Sequence, residues 1–198
     1  MNRLVLATRN RHKIEEIKTI LGDLPLEILT LNDFPDCPPL LEDGLTLEEN
    51  SLKKALAVHR YTKLPSLADD SGLEVFYLNG RPGVRSARYA GENTTDDQNN
   101  EKLLKEMRGV APRRRGAQFR AVLTLVGEGF REATEGACRG RLGESPRGTN
   151  GFGYDPIFLP EGFGGTYAEL TSEEKNRISH RARALERMRE VLNKRAGR

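Results

Sequence analysis

The sequence has few cysteines and no long apolar run, and both absences narrow the class of protein. Its two cysteines, Cys37 and Cys138, lie far apart and have no cysteine or histidine at metal-ligand spacing. The sequence therefore predicts neither a disulfide framework nor a zinc site. No apolar run approaches the roughly 20 residues needed to cross a bilayer, and the first residues lead into strand-like sequence rather than a signal peptide. We expect a cytoplasmic protein with no membrane partner.

Neither positive nor negative side chains are in large excess, because 32 lysines and arginines are nearly balanced by 29 aspartates and glutamates. The net charge of +3 is too small to indicate a nucleic-acid partner. We interpret the run Arg113-Arg114-Arg115 as a solvated loop and the basic C-terminal segment as a solvated helix face. The 198 residues contain 36% hydrophobic side chains and no repeat or linker, which predicts one domain over residues 1–198 with a substantial core.

Apolar residues alternate between strand and helix spacing along the chain, which predicts an α/β fold with a mixed sheet flanked by helices. Strands are predicted over residues 4–7, 25–31, 117–126 and 130–136. Helices are predicted over residues 13–21, 46–61, 95–107 and 171–194. Thr46 and Glu49 have the spacing of a capping box. Residues 72–78 end at Asn79-Gly80, which predicts a hairpin turn.

The segment Ala68-Asp69-Asp70-Ser71-Gly72-Leu73 contains two carboxylates, a hydroxyl and a glycine after a short apolar run. We expect these residues to form a loop at the end of a strand, where catalytic groups are common. Adjacent carboxylates supply the oxygen ligands that Mg²⁺ takes. An ordinary Asp-Ser-Gly turn is the alternative interpretation.

Residues 8–13, Thr8-Arg9-Asn10-Arg11-His12-Lys13, connect the first predicted strand to the first predicted helix. Free backbone N–H groups and the helix dipole favour an anion at such a position, and Lys13 adds a full positive charge. A triphosphate would fit these properties. The segment lacks the glycines of the Walker pattern, so a purely structural connection remains the alternative.

Two further polar segments could recognise a nucleobase. In Gly151-Phe152-Gly153-Tyr154-Asp155, the glycines permit close approach of a ligand and the aromatic rings could stack on a purine. A β-bulge among core aromatics is the alternative. Lys175, His180 and Arg181 have offsets that could place donors on one helical surface. An exposed basic face with a structural histidine would account for the same pattern.

The segments occur in an order that resembles the inosine triphosphate pyrophosphatase family nearly end to end. The resemblance rests on residues 8–13, 49–55, 68–73, 82–88, 151–158 and 174–181. It implies an elongated mixed sheet, two lobes with the active site in the cleft between them, and a homodimer. The implied activity is hydrolysis of ITP, dITP and XTP to the nucleoside monophosphate and pyrophosphate, which keeps these nucleotides out of DNA and RNA.

The resemblance also implies roles for individual residues. Glu42 and Asp70 would hold Mg²⁺, Asp70 would orient or deprotonate the attacking water, and Lys54 would neutralise phosphate charge. The substrate-binding residues would be Thr8, Asn10 and Lys13 for the triphosphate, Ser71, Phe152, Gly153, Tyr154 and Asp155 around the base and sugar, and Lys175, His180 and Arg181 at the 6-oxo edge. Arg9 departs from the family, which often has glycine there.

Two other functions fit parts of the same pattern. A related pyrophosphatase could use the same phosphate and metal groups on a pyrimidine or modified nucleotide. A nucleotide-binding module could use the basic segments without breaking a bond. Base preference would separate the two enzymes, and Mg²⁺-dependent release of pyrophosphate would separate either enzyme from a binding module. Within the purines, donors that face O6 would make ATP a poor substrate, because a 6-amino group leaves each buried donor unpaired at a cost of roughly 1–3 kcal/mol.

Overall fold

The computed structural model of the protein describes residues 1–196, which form six strands and five α-helices in a mixed order. The strands are β1 (Arg3–Leu6), β2 (Glu27–Thr30), β3 (Ser66–Val75), β4 (Gly116–Gly127), β5 (Phe130–Leu142) and β6 (Phe158–Pro160). The helices are α1 (Arg11–Leu21), α2 (Leu47–Thr62), α3 (Asp96–Glu106), α4 (Ser172–Ile178) and α5 (His180–Ala196). The sheet order is β2-β1-β3-β4-β5-β6, with β1 parallel to β2 and β3 and with β5 antiparallel to β6. The predicted mixed α/β fold is confirmed.

The chain divides into two compact units. Unit 1 comprises Met1–Asp70, Ala121–Gly136 and the chain from Arg181 onward, and unit 2 comprises Ser71–Arg120 and Ala137–His180. This division agrees with the two lobes that the resemblance implies, whereas the cleft between them stays a prediction. None of the described helices is both long and apolar enough to span a membrane.

Strand β1 explains why the core of unit 1 has two parts. Leu4 and Leu6 belong to a cluster that α1 and α5 complete, whereas Val5 and the following Ala7 belong to a cluster that α2 completes. Successive side chains of a strand point to opposite faces, so β1 is buried on both sides. That arrangement accounts for the unbroken apolar run of residues 4–7.

Unit 2 has its own core, which is rich in aromatic rings. The ring of Phe119 stacks on the rings of Tyr167 and His180, with centroid separations of 5.7 and 4.8 Å, and meets Phe158 edge to face at 4.8 Å. Leu103 of α3 and Met107, the residue that caps its C-terminus, belong to the same cluster of buried residues. Helix α3 is therefore anchored in this core, and its other faces are free to contact nearby segments.

Two local predictions around β3 are wrong. The acids Asp69 and Asp70 do not form a strand-end loop, because β3 continues through them to Val75. Both acids follow the part of β3 that pairs with β1, which consists of Ser66 and Leu67. The predicted hairpin is also not formed, since Asn79 and Gly80 turn the chain but only an isolated bridge between Glu74 and Pro82 follows.

Three other predictions need correction. The single C-terminal helix is two helices, because the extended backbone of Ser179 (ψ 155°) interrupts it. Thr46 caps α2 as expected, but Glu49 bonds the N–H of Leu45 rather than that of Thr46, so the capping box is incomplete. Arg115 is not solvated, since it donates to the carbonyls of Met107, Leu142 and Gly143 and is buried.

Candidate active site

The connection from β1 to α1 is ordered by its own polar side chains. Asn10 is the N-cap of α1, and its side-chain oxygen accepts a hydrogen bond from the N–H of Lys13 at 3.1 Å. The hydroxyl of Thr8 accepts one from the N–H of Asn10 at 3.2 Å. The first turn of α1 contains no acidic residue, so no carboxylate offsets the positive end of its dipole. This geometry suits an anion next to residues 8–13.

Lys54 lies between two carboxylates in unit 1. Its ammonium nitrogen is 2.6 Å from Oδ1 of Asp70 and 2.7 Å from Oε1 of Glu42. The same nitrogen donates to the backbone carbonyl of Asp69 at 2.8 Å. Lys54 and Asp70 are buried, while 39% of the Glu42 side chain is exposed. The lysine thus links a buried carboxylate to one that solvent reaches.

Helix α2 also fixes the loop that carries Glu42. The side-chain oxygen of buried Asn50 accepts a hydrogen bond from the N–H of Gly44 at 2.7 Å. A Cβ atom on Gly44 would lie 2.6 Å from that oxygen and 2.9 Å from Cβ of Glu49, so only glycine fits. Because Asn50 and Lys54 are one helical turn apart, α2 holds both the loop and the cation that Glu42 contacts.

Asp69 belongs to a second ion-pair network in unit 1. Its carboxylate receives Nε of Arg181 at 2.8 Å and lies 2.5 Å from Nζ of Lys13. Arg181 also donates to Glu16 at 2.5 Å. Asp69 and Arg181 are each 1% exposed. Every nitrogen of the guanidinium therefore has a carboxylate partner, since Nη2 completes the set at 3.3 Å from Asp69.

The two networks shift the pKa values of the adjacent acids in opposite directions. Burial alone would raise the pKa of Asp69, but Arg181 and Lys13 outweigh it and hold that pKa well below its usual range. For Asp70, burial dominates and raises the pKa despite the attraction of Lys54 and Lys13. Burial lowers the pKa of Lys13, whereas Asp70 and Glu42 overcome burial and raise the pKa of Lys54. Asp70 is thus an acid that ionises with difficulty.

The residues near Lys54 fit a magnesium ion. Mg²⁺ commonly takes one or two protein carboxylates and completes its shell with water and substrate phosphates. Glu42 and Asp70 supply such a pair, since both approach the same ammonium nitrogen within 2.7 Å. No group of three or more His, Cys, Asp or Glu side chains suited to a metal occurs among the described residues. An ion held by only two protein carboxylates would complete its coordination shell with water and substrate oxygens.

Unit 2 contains the second cluster, built around Asp155 and Lys175. Oδ2 of Asp155 is 2.7 Å from Nζ of Lys175 and accepts from the N–H of Phe152 at 3.0 Å. The ammonium of Lys175 also lies 4.9 Å from the centre of the Phe152 ring. A cation and an aromatic ring are therefore held side by side by one carboxylate.

Neighbouring predicted residues in unit 2 have structural contacts. Tyr154 is buried, and its hydroxyl donates to the carbonyl of Ser86 at 2.9 Å. The Ser86 hydroxyl accepts from the N–H of Leu73, while a Cβ on Gly72 would lie 2.2 Å from the carbonyl oxygen of Gly83. The chain after half-buried Ser71 is thus packed closely against residues 83–86.

The structure brings the predicted site residues into these two sets. Thr8, Asn10, Lys13, Glu42, Lys54, Asp70 and Arg181 lie in unit 1, and Ser71, Phe152, Gly153, Tyr154, Asp155, Lys175 and His180 lie in unit 2. Arg181 binds Asp69 and Glu16, and His180 stacks on Phe119, so both have structural contacts in addition to the substrate roles, which stay predictions. The sequence analysis assigned no individual role to Glu16, which has no local signature, or to Asn50, which belongs to the segment 49–55 of the family resemblance.

The two clusters thus comprise carboxylates and lysines in one unit and a lysine beside an aromatic ring in the other. The chain belongs to the Ham1 family, whose sequence profile matches residues 4–191. This result confirms the resemblance seen in the sequence.

Individual relatives agree with this membership. The chain is 52% identical to the dITP/XTP pyrophosphatase of Geobacter sulfurreducens, with 97% of each chain covered. It is 47% identical to the dITP/XTP pyrophosphatase of Clostridium perfringens, with 97% of this chain and 98% of that one covered. The solved structure of a HAM1 protein from Coxiella burnetii has a TM-score of 0.90 at 40% identity, covering 98% of this chain and 100% of that chain.

Proposed function

We propose that this protein hydrolyses the deaminated purine nucleotides dITP, XTP and ITP to the nucleoside monophosphate and pyrophosphate, with Mg²⁺ as cofactor. The observation that carries the proposal is the contact of Lys54 with both Asp70 and Glu42. Relatives named dITP/XTP pyrophosphatase, at 52% and 47% identity over nearly the full length, support the substrate class. The activity would remove these nucleotides from the pool that supplies DNA and RNA synthesis.

Asp70 acts on the attacking water in this proposal. Its carboxylate is held 2.6 Å from the Lys54 ammonium, and a carboxylate positioned in this way can accept the proton of a water molecule. The water oxygen forms a bond to the α-phosphorus, and the bond from that phosphorus to the bridging oxygen breaks. The water proton passes to Asp70, the electron pair leaves with pyrophosphate, and no covalent intermediate is needed.

The cations of unit 1 stabilise the charge that develops. Lys54 lies within hydrogen-bond distance of Asp70, and Lys13, whose ammonium pairs with Asp69, belongs to the first turn of α1, where the N-terminal N–H groups also favour phosphate. When bound by Glu42 and Asp70, Mg²⁺ supplies Lewis-acid stabilisation of phosphoryl oxygens. Thr8 and Asn10 keep the connection between β1 and α1 in the conformation that presents those N–H groups.

Selection of the base belongs to the cluster of unit 2. The Lys175 ammonium offers donors to a purine O6, and Phe152 offers an aromatic face to the ring. A 6-amino group would bring donor against donor and leave the lysine without a partner in the base. ATP and dATP should therefore be poor substrates.

Pyrophosphate release from a nucleotide panel tests the proposal. Wild-type protein is given dITP, XTP, ITP, ATP, GTP, dTTP and UTP, each with Mg²⁺ and with chelator. Release from dITP, XTP and ITP, with little release from ATP, dTTP and UTP, is expected, and chelator should abolish it. Preference for dTTP or UTP would indicate the pyrimidine enzyme, and no release from any nucleotide would indicate a binding module.

We also propose a homodimer in the cytoplasm with no nucleic-acid partner, supported by the family resemblance and by the near balance of charge. Light scattering during size-exclusion chromatography should give twice the chain mass of 22.2 kDa. A mass of one chain would contradict the dimer, and retention on immobilised duplex DNA at physiological salt would contradict the absence of a nucleic-acid partner.

A further inference from the structure

Helix α3 contacts the backbone of Gly153 from two sides. Asp96, the first residue of the helix, accepts a hydrogen bond from the N–H of Gly153 at 2.6 Å. One turn further on, Nδ2 of Asn100 donates to the carbonyl of the same glycine at 2.9 Å. Both polar groups of one residue, in the segment expected to enclose the base, are thus held by side chains of a single helix.

The conformation of Gly153 needs this support. Its φ of +62° lies in the left-handed region, and open space surrounds the position of a Cβ, so packing does not fix this residue. Its two neighbours are Phe152 and Tyr154, and Phe152 donates its N–H to Asp155. A change at Gly153 would therefore move the aromatic ring and the carboxylate that holds Lys175.

The orientation of the Asn100 amide is determined by Gly153. Asn100 is 3% exposed, and within the described chain its Oδ1 accepts no hydrogen bond. A flipped amide would place that oxygen against the carbonyl oxygen of Gly153, which is repulsive. The donor is thus the functional part of this side chain.

The adjacent residue extends the support to a second segment. Oδ1 of Asn99 accepts from the N–H of Ala90 at 2.8 Å, and its Nδ2 donates to the carbonyl of Ala87 at 3.2 Å. Ser86, next to Ala87, accepts the hydroxyl of Tyr154 through its carbonyl. Helix α3 therefore contacts both Gly153, which precedes Tyr154 in the chain, and the segment near Ser86 to which the Tyr154 hydroxyl donates. The apolar side chains of Leu103 and Met107 anchor the helix in the core.

We propose that Asp96 and Asn100 are positioning residues that hold Gly153 so that Phe152, Asp155 and Lys175 select the 6-oxo base. This inference rests on the proposed function and deepens it. The two residues act through the backbone of Gly153 and do not touch the substrate. Their loss would impair discrimination between dITP and dATP rather than the chemistry at phosphorus.

The principal test compares Asp96→Ala with Asp97→Ala. Both acids are exposed residues in the first turn of α3, so both variants remove the same charge from the same helix end. Asp96→Ala should lower kcat/KM for dITP about threefold to tenfold, the range expected for one hydrogen bond, while the low rate with dATP stays unchanged. Asp96→Asn keeps an acceptor oxygen and should restore most of the loss. Asp97→Ala should resemble wild type.

Hydrogen exchange supplies a readout that does not need activity. The peptide covering residues 151–155 should exchange faster in Asp96→Ala than in wild type and Asp97→Ala, with Tm changed no more than in Asp97→Ala. Asn100→Asp removes the donor with little change of shape. It should raise the exchange rate of the same peptide further, because it places a carboxylate oxygen against the carbonyl oxygen of Gly153.

The outcomes separate the two proposals. Equal exchange and equal selectivity in Asp96→Ala and Asp97→Ala would overturn the positioning role, as would faster exchange with an unchanged ratio of dITP to dATP. Absence of pyrophosphate release from wild type would overturn the proposed function instead. The exchange measurements would still decide whether α3 holds Gly153.

Discussion

Asp69 and Asp70 are adjacent in sequence, yet they occupy different electrostatic environments in unit 1. Asp69 is paired with Arg181 and Lys13, which favour its ionised form so strongly that its pKa falls. Asp70 shares Lys54 with Glu42, and burial raises its pKa. The difference shows that burial alone does not assign a role to an acid. The number and position of the surrounding cations decide whether it stabilises the fold or is available for proton transfer.

Replacement of Asp70 should give the largest effect on catalysis. Asp70→Asn should lower kcat for dITP by about 10²- to 10⁴-fold, because a general base contributes that range. In chelator its Tm should equal or exceed that of wild type, since the variant removes a charge that burial disfavours. Initial rates and thermal unfolding of the same preparation check both statements. Retention of wild-type kcat would remove Asp70 from the chemistry.

Replacement of Asp69 should give the largest effect on stability. Asp69→Asn leaves the buried guanidinium of Arg181 short of a partner, and breaking a buried ion pair costs about 3–5 kcal/mol. Denaturant unfolding measures the loss of unfolding free energy. Asp43→Asn is the matched control, because its pair with Lys53 is exposed and should contribute nothing measurable. Equal stability of the two variants would contradict the contrast between the networks.

Gly44→Ala should have a smaller effect on stability and activity, and it should act only on the network of Lys54, Asp70 and Glu42. The new methyl group would lie 2.6 Å from Oδ1 of Asn50, and such overpacking costs about 1–3 kcal/mol. The loop that carries Glu42 must then move, so the Mg²⁺ concentration needed for half-maximal rate should rise. Titration of activity with Mg²⁺ checks this, with Gly164→Ala as control because open space surrounds that position. An unchanged Mg²⁺ requirement would separate Glu42 from the metal.

The smallest effect we expect is a difference between Asp69→Asn and Asp70→Asn in how their stability changes with pH. In chelator, the stability deficit of Asp69→Asn should persist down to about pH 4 and shrink only below the ordinary pKa of 3.8, because the native pKa of Asp69 is lower still. Any stability gain of Asp70→Asn should shrink as pH falls through the raised native pKa of Asp70, because the wild-type carboxyl then becomes neutral, and this loss should begin at a higher pH than the change in Asp69→Asn. Thermal unfolding from pH 3 to 7 measures both. Coincident transitions would refute the opposite shifts.

Local sequence patterns predicted much of the fold but failed where distant contacts decide. Thr46 caps α2 as its spacing to Glu49 indicates, and α3 lies within the helix predicted over residues 95–107. The pair Asp69-Asp70 was expected in a loop, because its composition is typical of turns, yet cations 56 and 112 residues away allow the acids to remain in a strand. Propensity describes the local chain, and an ion pair of this kind overrides it.

The candidate site shows the same division. Residues 8–13, the acid pair Asp69-Asp70 and residues 151–155 are recognisable because their residue types cluster along the sequence. Asp96 and Asn100 are not, since an acid in the first helical turn and an asparagine within a helix have ordinary structural explanations. Only the position of Gly153 beside α3 distinguishes them from other polar residues.

The sequence by itself determined the mixed α/β class and, through six ordered segments, the family to which the chain belongs. Tertiary structure decided that Asp69 pairs with two cations whereas Asp70 shares one with Glu42. It also decided which polar side chains of α3 contact the backbone of Gly153. The physical reason is that pKa shifts and hydrogen bonds depend on distances of a few ångströms between groups far apart in the chain. Composition and spacing along the sequence do not contain those distances.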